Sequence, residues 1–352
     1  MSWQENLRSV EPYVAGEQPK LDEMIKLNTN ENPYPPSPKI RELLADFDTD
    51  RLRLYPNPNA DELRSELAIY YGLEPEQIFI GNGSDEVLSL AFLAFFNGAK
   101  PLLMPDISYS FYPVYCELYG IINKKVPLTE NFQLKATDYF QENAGIVFAN
   151  PNAPTGILVG LDFIEEILQH NLESIVLVDE AYIDFSGPTA TALPLLKKYD
   201  NLVVTRTFSK SRSLAGIRLG LAFGDPLAIA RLYDVKNSFN SYPIDSLAQL
   251  VGLASLKDNN YYEKNLAKLV STREKFKQDL HQLGFEQLDS QANFVFAHHP
   301  NISAQQLFEI LYAEKIIVRH WNAPRIYDWL RITIGTDEEM MRLIEFLKEF
   351  LE

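Results

Sequence analysis

The 352-residue chain is poor in the residues that carry several common chemistries. It has one cysteine, Cys116. A single cysteine excludes an internal disulfide and any cysteine-cluster metal site, and it suits a reducing cytoplasm. The five histidines, at 170, 281, 298, 299 and 320, are scattered and suggest no catalytic triad. Basic residues are also scarce, 32 against 48 acidic ones, for a net charge of −16. Broad nucleic-acid binding needs a basic face, so this balance argues against it, and anionic ligands must be met by a few local arginines. Long hydrophobic runs are missing too. The longest, Leu90 to Phe96, is far short of the roughly 20 residues of a membrane span and reads as a buried helix. The start, Met1-Ser-Trp-Gln-Glu-Asn, has no apolar signal core. There is no internal repeat and no low-complexity tract.

Apolar residues make up 46% of the chain, enough for a large core, and the length predicts about two domains. Residues 1–38 carry Pro33, Pro35, Pro36 and Pro38 without sustained periodicity and read as an N-terminal arm. Helices are predicted over Ile40–Phe47 and Asp61–Tyr71, the second capped by Asn59 or Asp61. Short apolar runs then recur at Gln77–Ile80, Lys100–Met104, Gly145–Ala149, Ser174–Val178, Leu202–Thr205 and Leu219–Phe223. Their alternation with helical or loop segments predicts an α/β large domain over 39–243, with a mostly parallel sheet flanked by helices. From 244 to 352 the pattern changes to a smaller α+β domain. It has long helices over Ser246–Leu256 and Tyr261–Leu283. Strands follow at Phe294–Ala297, Ile316–Arg319 and Trp329–Ile334, with a closing helix from Asp337 to Phe350.

In an open α/β sheet, ligands bind beyond the carboxyl ends of the strands. Four segments fall there. Gly81-Asn-Gly-Ser-Asp-Glu follows an apolar run and opens a helix, which suits phosphate binding by backbone N–H groups. It also suits a plain capped helix, and it lacks the third glycine of a dinucleotide site. Val178-Asp-Glu-Ala-Tyr-Ile-Asp puts Asp179 at a strand end, able to pair with a protonated ring nitrogen, or to cap the next helix. A metal site from Asp179, Glu180 and Asp184 has neither a nearby histidine nor calcium-loop spacing. Asn150-Pro-Asn-Ala-Pro-Thr-Gly156 is a turn. Thr207-Phe-Ser-Lys-Ser-Arg-Ser sets Lys210 among hydroxyls, with Arg218 eight residues on; such a lysine suits a Schiff base beside a phosphate, or a solvated loop. Arg331, in an apolar strand, and Arg319, at the end of another, need anionic partners if buried: a ligand, or structural carboxylates. Tyr109, Phe111 and Tyr112 could stack on a planar ring, or simply be core.

Taken in this order, the motifs resemble the fold-type I aminotransferases dependent on pyridoxal phosphate. Leu27-Asn-Thr-Asn-Glu-Asn-Pro-Tyr, Leu54-Tyr-Pro-Asn-Pro and Leu330-Arg-Ile-Thr-Ile-Gly-Thr narrow the resemblance to the branch acting on histidinol phosphate, over nearly the whole length. The resemblance implies that Lys210 bonds the cofactor and shuttles the proton. Asp179 would hold the ring nitrogen protonated, Tyr182 would bond the phenolic oxygen and Tyr109 would stack on the ring. Gly83, Ser84, Asp85, Thr207, Ser209 and Arg218 would cradle the phosphate. Tyr55 would reach the phosphate of a partner subunit's cofactor in a homodimer. Arg331, Arg319, Tyr13 and Asn32 would bind histidinol phosphate and glutamate or 2-oxoglutarate. One departure is plain: relatives carry Asn where this chain has Ala153, and Asn152 is the expected substitute. The alternatives are a threonine-phosphate decarboxylase, an aromatic-amino-acid aminotransferase, or a non-catalytic protein that keeps the fold.

Overall fold

The computed structural model describes residues 3–14, 16–19 and 23–352; residues 1, 2, 15 and 20–22 of the expected arm lie outside that set. In chain order its strands are β1 (Ile25–Lys26), β2 (Ile78–Asn82), β3 (Leu102–Pro105), β4 (Asn123–Val126), β5 (Gly145–Ala149), β6 (Val176–Asp179), β7 (Leu202–Thr207), β8 (Leu219–Gly224), β9 (Glu286–Gln287), β10 (Phe294–His298), β11 (Ile316–Ile317), β12 (Arg319–His320) and β13 (Leu330–Thr333). The helices are α1 (Pro38–Ala45), α2 (Asp61–Tyr71), α3 (Gly83–Phe95), α4 (Phe111–Tyr119), α5 (Leu161–His170), α6 (Pro226–Phe239), α7 (Ser246–Leu256), α8 (Asn259–Gln282), α9 (Ala304–Ala313) and α10 (Asp337–Leu351).

Seven strands form the large sheet in the order β2-β8-β7-β6-β5-β3-β4. Strand β8 is antiparallel to both neighbours, and the other pairs are parallel. The central strands are apolar at successive positions because both faces are covered. Ile146, Phe148, Val176, Val178 and Val204 pack into one layer, and Val147, Leu177 and Val203 into the other. Each such burial contributes about 1.5–3 kcal/mol relative to exposure. Strand β4 at the sheet's edge has no such signature: Asn123, Lys124 and Lys125 are exposed, and edge lysines discourage pairing with another chain.

The smaller layer is an antiparallel sheet, β12-β13-β10-β9. Leu269, Phe276 and Leu280 of α8, Leu307 and Leu311 of α9, and Leu343 and Leu347 of α10 share its core. The run Ile316–Arg319, expected as one strand, is split. Ile316–Ile317 pairs in parallel with β1, while Arg319–His320 pairs antiparallel with β13. Ile25 and Leu27 lie in the same core as α8 to α10, so this part of the chain is tied to the smaller layer. The cap of α2 also differs from expectation: Asn57, not Asn59, accepts the N–H of Asp61.

The topology creates one crowded edge. Strands β2, β5, β6 and β7 point the same way, so their carboxyl ends lie together, and antiparallel β8 begins there. That edge carries Gly83, the loop after Ala149, Asp179, the turn from Thr207 to Lys210, and Arg218.

Candidate active site

Two joined cavities lie beyond this edge, an inner chamber of about 200 Å³ and an outer one of about 650 Å³. Thr29, Tyr109, Ala153, Tyr182 and Lys210 line both, so Lys210 stands at their junction. Its Nζ donates to the Thr29 carbonyl at 3.1 Å and sits 5.7 Å from the centre of the Tyr182 ring.

The inner chamber has a cationic end and a carboxylate wall. At the cationic end α3 begins at Gly83, and Ser84, Thr207, Ser209 and Arg218 are all near. The Thr207 hydroxyl donates to Ser209 Oγ at 2.9 Å. Arg218 pairs with Asp85 at 3.0 Å, and the Tyr109 hydroxyl donates to Asp85 at 2.7 Å. Gly83 has φ +79°, and a side chain there would run into the Arg218 guanidinium. Glycine is therefore required both by the backbone and by the close approach of Arg218. At the wall, Asp179 is buried at the end of β6. It accepts hydrogen bonds from the hydroxyls of Tyr112 at 2.9 Å and Thr205 at 3.1 Å. Burial pushes its pKa up to about 6, against the downward pull of those bonds. Burial, with Asp85 alongside, also pushes the Tyr109 phenol far above its ordinary value, so it stays neutral. The neighbouring carboxylates are not shared with the chamber: Arg206 takes up Glu180 at 2.9 Å and Asp184 at 3.4 Å, leaving no cluster able to hold a metal among the described residues.

The outer cavity is lined by Tyr13, Arg319, Trp321 and Arg331. Antiparallel pairing sets Arg319 opposite Arg331, so two cations face one space. Arg331 donates to the Asn28 carbonyl at 2.8 Å, and its buried Nε has no partner. Burial lowers its pKa, and Arg319 adds to the lowering. Among the described residues neither arginine is ion-paired with a carboxylate, which leaves the structural salt-bridge explanation without support. An uncompensated buried cation costs stability until an anion arrives. Tyr13 stacks on Phe111 of α4, with ring centres 4.6 Å apart.

Thirteen of the expected residues thus line the two cavities or form the turn that bounds them, and three lie elsewhere. Tyr55 is on the surface, 82% exposed and stacked on Tyr242. Asn32 does not line either cavity; its amide donates to the carbonyls of Lys210 and Ser211, at 3.2 and 3.1 Å, bracing that turn from behind. Asn152 is likewise turned away. Its amide donates to the Ile107 carbonyl and Thr155 Oγ1, and its oxygen accepts from Ser108, while Ala153 faces the cavities. Backbone carbonyls left over by the two turns claim both asparagines. Tyr112, expected as a stacking or core aromatic, takes another role, and three further residues were not foreseen. Tyr112 and Thr205 hold Asp179, Thr29 meets Lys210, and Asn30 donates to Tyr182 Oη at 2.9 Å. Thr205 lies beside Asp179 only through the β6–β7 register.

Comparison with known proteins gives the family and the fold. Residues 22–347 match the family described as aminotransferase class I and II. Over 352 residues the chain is 65% identical to the histidinol-phosphate aminotransferase of Lactococcus lactis subsp. cremoris strain MG1363, covering all of this chain and 98% of the relative. Among solved structures, the histidinol-phosphate aminotransferase of Clostridium acetobutylicum matches with a TM-score of 0.86 and 25% identity, covering 93% of this chain and 99% of that one. The Sinorhizobium meliloti histidinol-phosphate aminotransferase, solved in complex with pyridoxal-5'-phosphate, matches with a TM-score of 0.83 and 21% identity. It covers 93% of this chain and 90% of that one, and it supports the fold alone.

Proposed function

The chain belongs to the aminotransferase class I and II family, and from that premise we propose that it moves an amino group between L-histidinol phosphate and 2-oxoglutarate. The products are imidazole-acetol phosphate and L-glutamate, a step of histidine biosynthesis, with pyridoxal 5'-phosphate as cofactor. The observation that carries this reading is the junction at Lys210, between a phosphate cradle with a buried carboxylate and a cavity holding two arginines that have no carboxylate partner among the described residues. The identity to a full-length histidinol-phosphate aminotransferase supports this branch over decarboxylation of threonine phosphate or transfer from aromatic amino acids.

The residues fit the cofactor. Bound pyridoxal phosphate supplies an electron sink that stabilises charge at the substrate α-carbon. Arg218, Ser84, Thr207, Ser209 and the start of α3 would hold the phosphate, where helix N–H groups and a guanidinium favour an anion. Asp179 would face the ring nitrogen, because a cation there offsets the cost of its burial. Tyr182 would donate to the phenolic oxygen, and Tyr109 would cover the ring. Lys210 would take and return the proton at the substrate α-carbon through its Nζ. Arg331, Arg319 and Tyr13 would bind the phosphate of one substrate and the carboxylate of the other.

The same reading makes the enzyme a cytoplasmic homodimer. Tyr55 and Tyr242, exposed and stacked, with exposed Leu52 and Leu54 close by in sequence, offer an apolar surface to a second copy. Tyr55 would reach the partner subunit's cofactor phosphate. Cys116 is buried and no described helix is long and apolar enough to cross a membrane.

Half-reactions test the substrate. L-histidinol phosphate should bleach the colour of the cofactor-loaded enzyme at a rate well above that for threonine phosphate or phenylalanine. A faster response to either of those would sink the assignment.

A further inference from the structure

We propose that Asn30 is a positioning residue that makes Tyr182 an obligate hydrogen-bond donor into the inner chamber, serving in place of an asparagine at position 153. This rests on the function proposed above, and it gives a role to the Asn30 side chain, at the centre of the Asn-Thr-Asn-Glu-Asn run.

Ala153 and Tyr182 share one core cluster and both line the inner chamber, so the wall beside Tyr182 presents a methyl group and no amide. A phenol oxygen carries one proton and two lone pairs. Asn30 Nδ2 donates to one of those lone pairs at 2.9 Å. With Asn30 acting as donor, the Tyr182 proton is directed away from it, toward the chamber that Tyr182 lines.

The amide of Asn30 is oriented by Thr333. Its Oδ1 accepts from the Thr333 hydroxyl at 2.9 Å, which leaves Nδ2 as the end facing Tyr182. The backbone N–H of Asn30 donates back to Thr333 Oγ1 at 3.1 Å, and its carbonyl accepts from Asn293 Nδ2 at 3.0 Å. Asn30 is 1% exposed and has φ +56°, a left-handed conformation that asparagine tolerates and most residues resist. Thr333 lies two residues from Arg331 on β13, so the strand that faces the substrate cavity also sets the donor facing the cofactor. Among the described residues, the cations Lys210 and Arg331 interact with Tyr182, and the carboxylates Glu31, Asp85 and Asp179 line the same chamber with Arg218.

A donor aimed at the cofactor's phenolic oxygen favours its anionic form. The test is therefore the pH titration of visible absorbance in enzyme loaded with pyridoxal phosphate. Asn30→Gly suits the positive φ and removes only the amide. It should raise the titration midpoint by about one pH unit, a tenfold change in proton affinity, the scale of one hydrogen bond. Adding Ala153→Asn to that variant should bring the midpoint back down, because it supplies an amide to the wall beside Tyr182. A role in packing alone would lower the melting temperature and leave the midpoint where it was. Should Asn30→Gly fail to fold, Thr333→Val, which unanchors the amide, must shift the midpoint in the same direction. A coloured, folded variant whose midpoint matches wild type overturns this inference and leaves the functional reading standing. A wild type that takes up no cofactor overturns both.

Discussion

At the scale of single residues, the site includes charges that no opposite charge among the described residues meets. Arg331 is the plainest. It is half-buried, its buried Nε is unpartnered and a second arginine faces the same cavity. Arg331→Ala should lower kcat/KM for histidinol phosphate by about 2–4 kcal/mol, the scale of a charged hydrogen bond in a dry site. An unchanged value in steady-state kinetics would mean that the arginine serves the fold only. Asp179 gives a pH dependence with a definite sign. Its folded-state pKa of about 6 lies above its ordinary 3.8. Between those values the folded protein holds a proton that the unfolded chain has lost, so this group's contribution to stability declines as pH rises through the window. A cation on the cofactor ring reverses that preference. Cofactor affinity should be level above about pH 7 and fall below about 6, at most tenfold per pH unit, and the part of the slope due to Asp179 should vanish in Asp179→Asn. Equilibrium binding across pH measures it. Lys210, Asp179 and the arginines were legible in the sequence because rare residue types sat at strand ends. Asn32 and Asn152 were misjudged because an asparagine's partner depends on which backbone carbonyls a turn leaves free. Thr205 was missed, and Tyr112 was read only as a stacking or core aromatic, because only strand register and helix packing bring their hydroxyls to Asp179.

At the scale of elements, the central strands announce themselves because both faces are covered and successive positions are apolar up to their carboxyl ends. The expected boundaries of Gly145–Ala149 and Ser246–Leu256 match those observed. What escaped was whatever lacked such a pattern. Strand β4 is exposed at the edge, β1 is two residues long, and β11 and β12 follow one another across Val318, so that their division between two sheets depends on partners far away in sequence. The start of α3 yields a prediction at this scale. Gly83→Ala forces a side chain into the left-handed region and against Arg218, so it should cost about 1 kcal/mol or more of stability and weaken cofactor binding. Gly72→Ala, at φ +66° with nothing within 4 Å, carries similar backbone strain in open space. It should lower the melting temperature alone. Equal loss of cofactor affinity in the two variants would remove the cradle from the account.

At the scale of the whole molecule, a chain with net charge −16 gathers Lys210, Arg218, Arg319 and Arg331 around one pair of joined cavities. The small layer supplies Arg319 and Arg331, the large sheet supplies Lys210 and Arg218, and β1 ties the early chain to the small layer. The proposed dimer adds Tyr55 in trans. If Tyr55→Ala is inactive for lack of that contact, mixing it with inactive Lys210→Ala should restore about a quarter of wild-type activity. Half of randomly formed pairs would be hybrids, each with one intact site. No recovery after subunit exchange would confine each site to its own chain. The most direct test of the central claim is borohydride reduction of the wild-type enzyme loaded with pyridoxal phosphate, followed by peptide mass spectrometry. The account predicts one added cofactor, on the peptide that contains Lys210, and none on that peptide in Lys210→Ala. Attachment at another lysine, or no attachment at all, would contradict it.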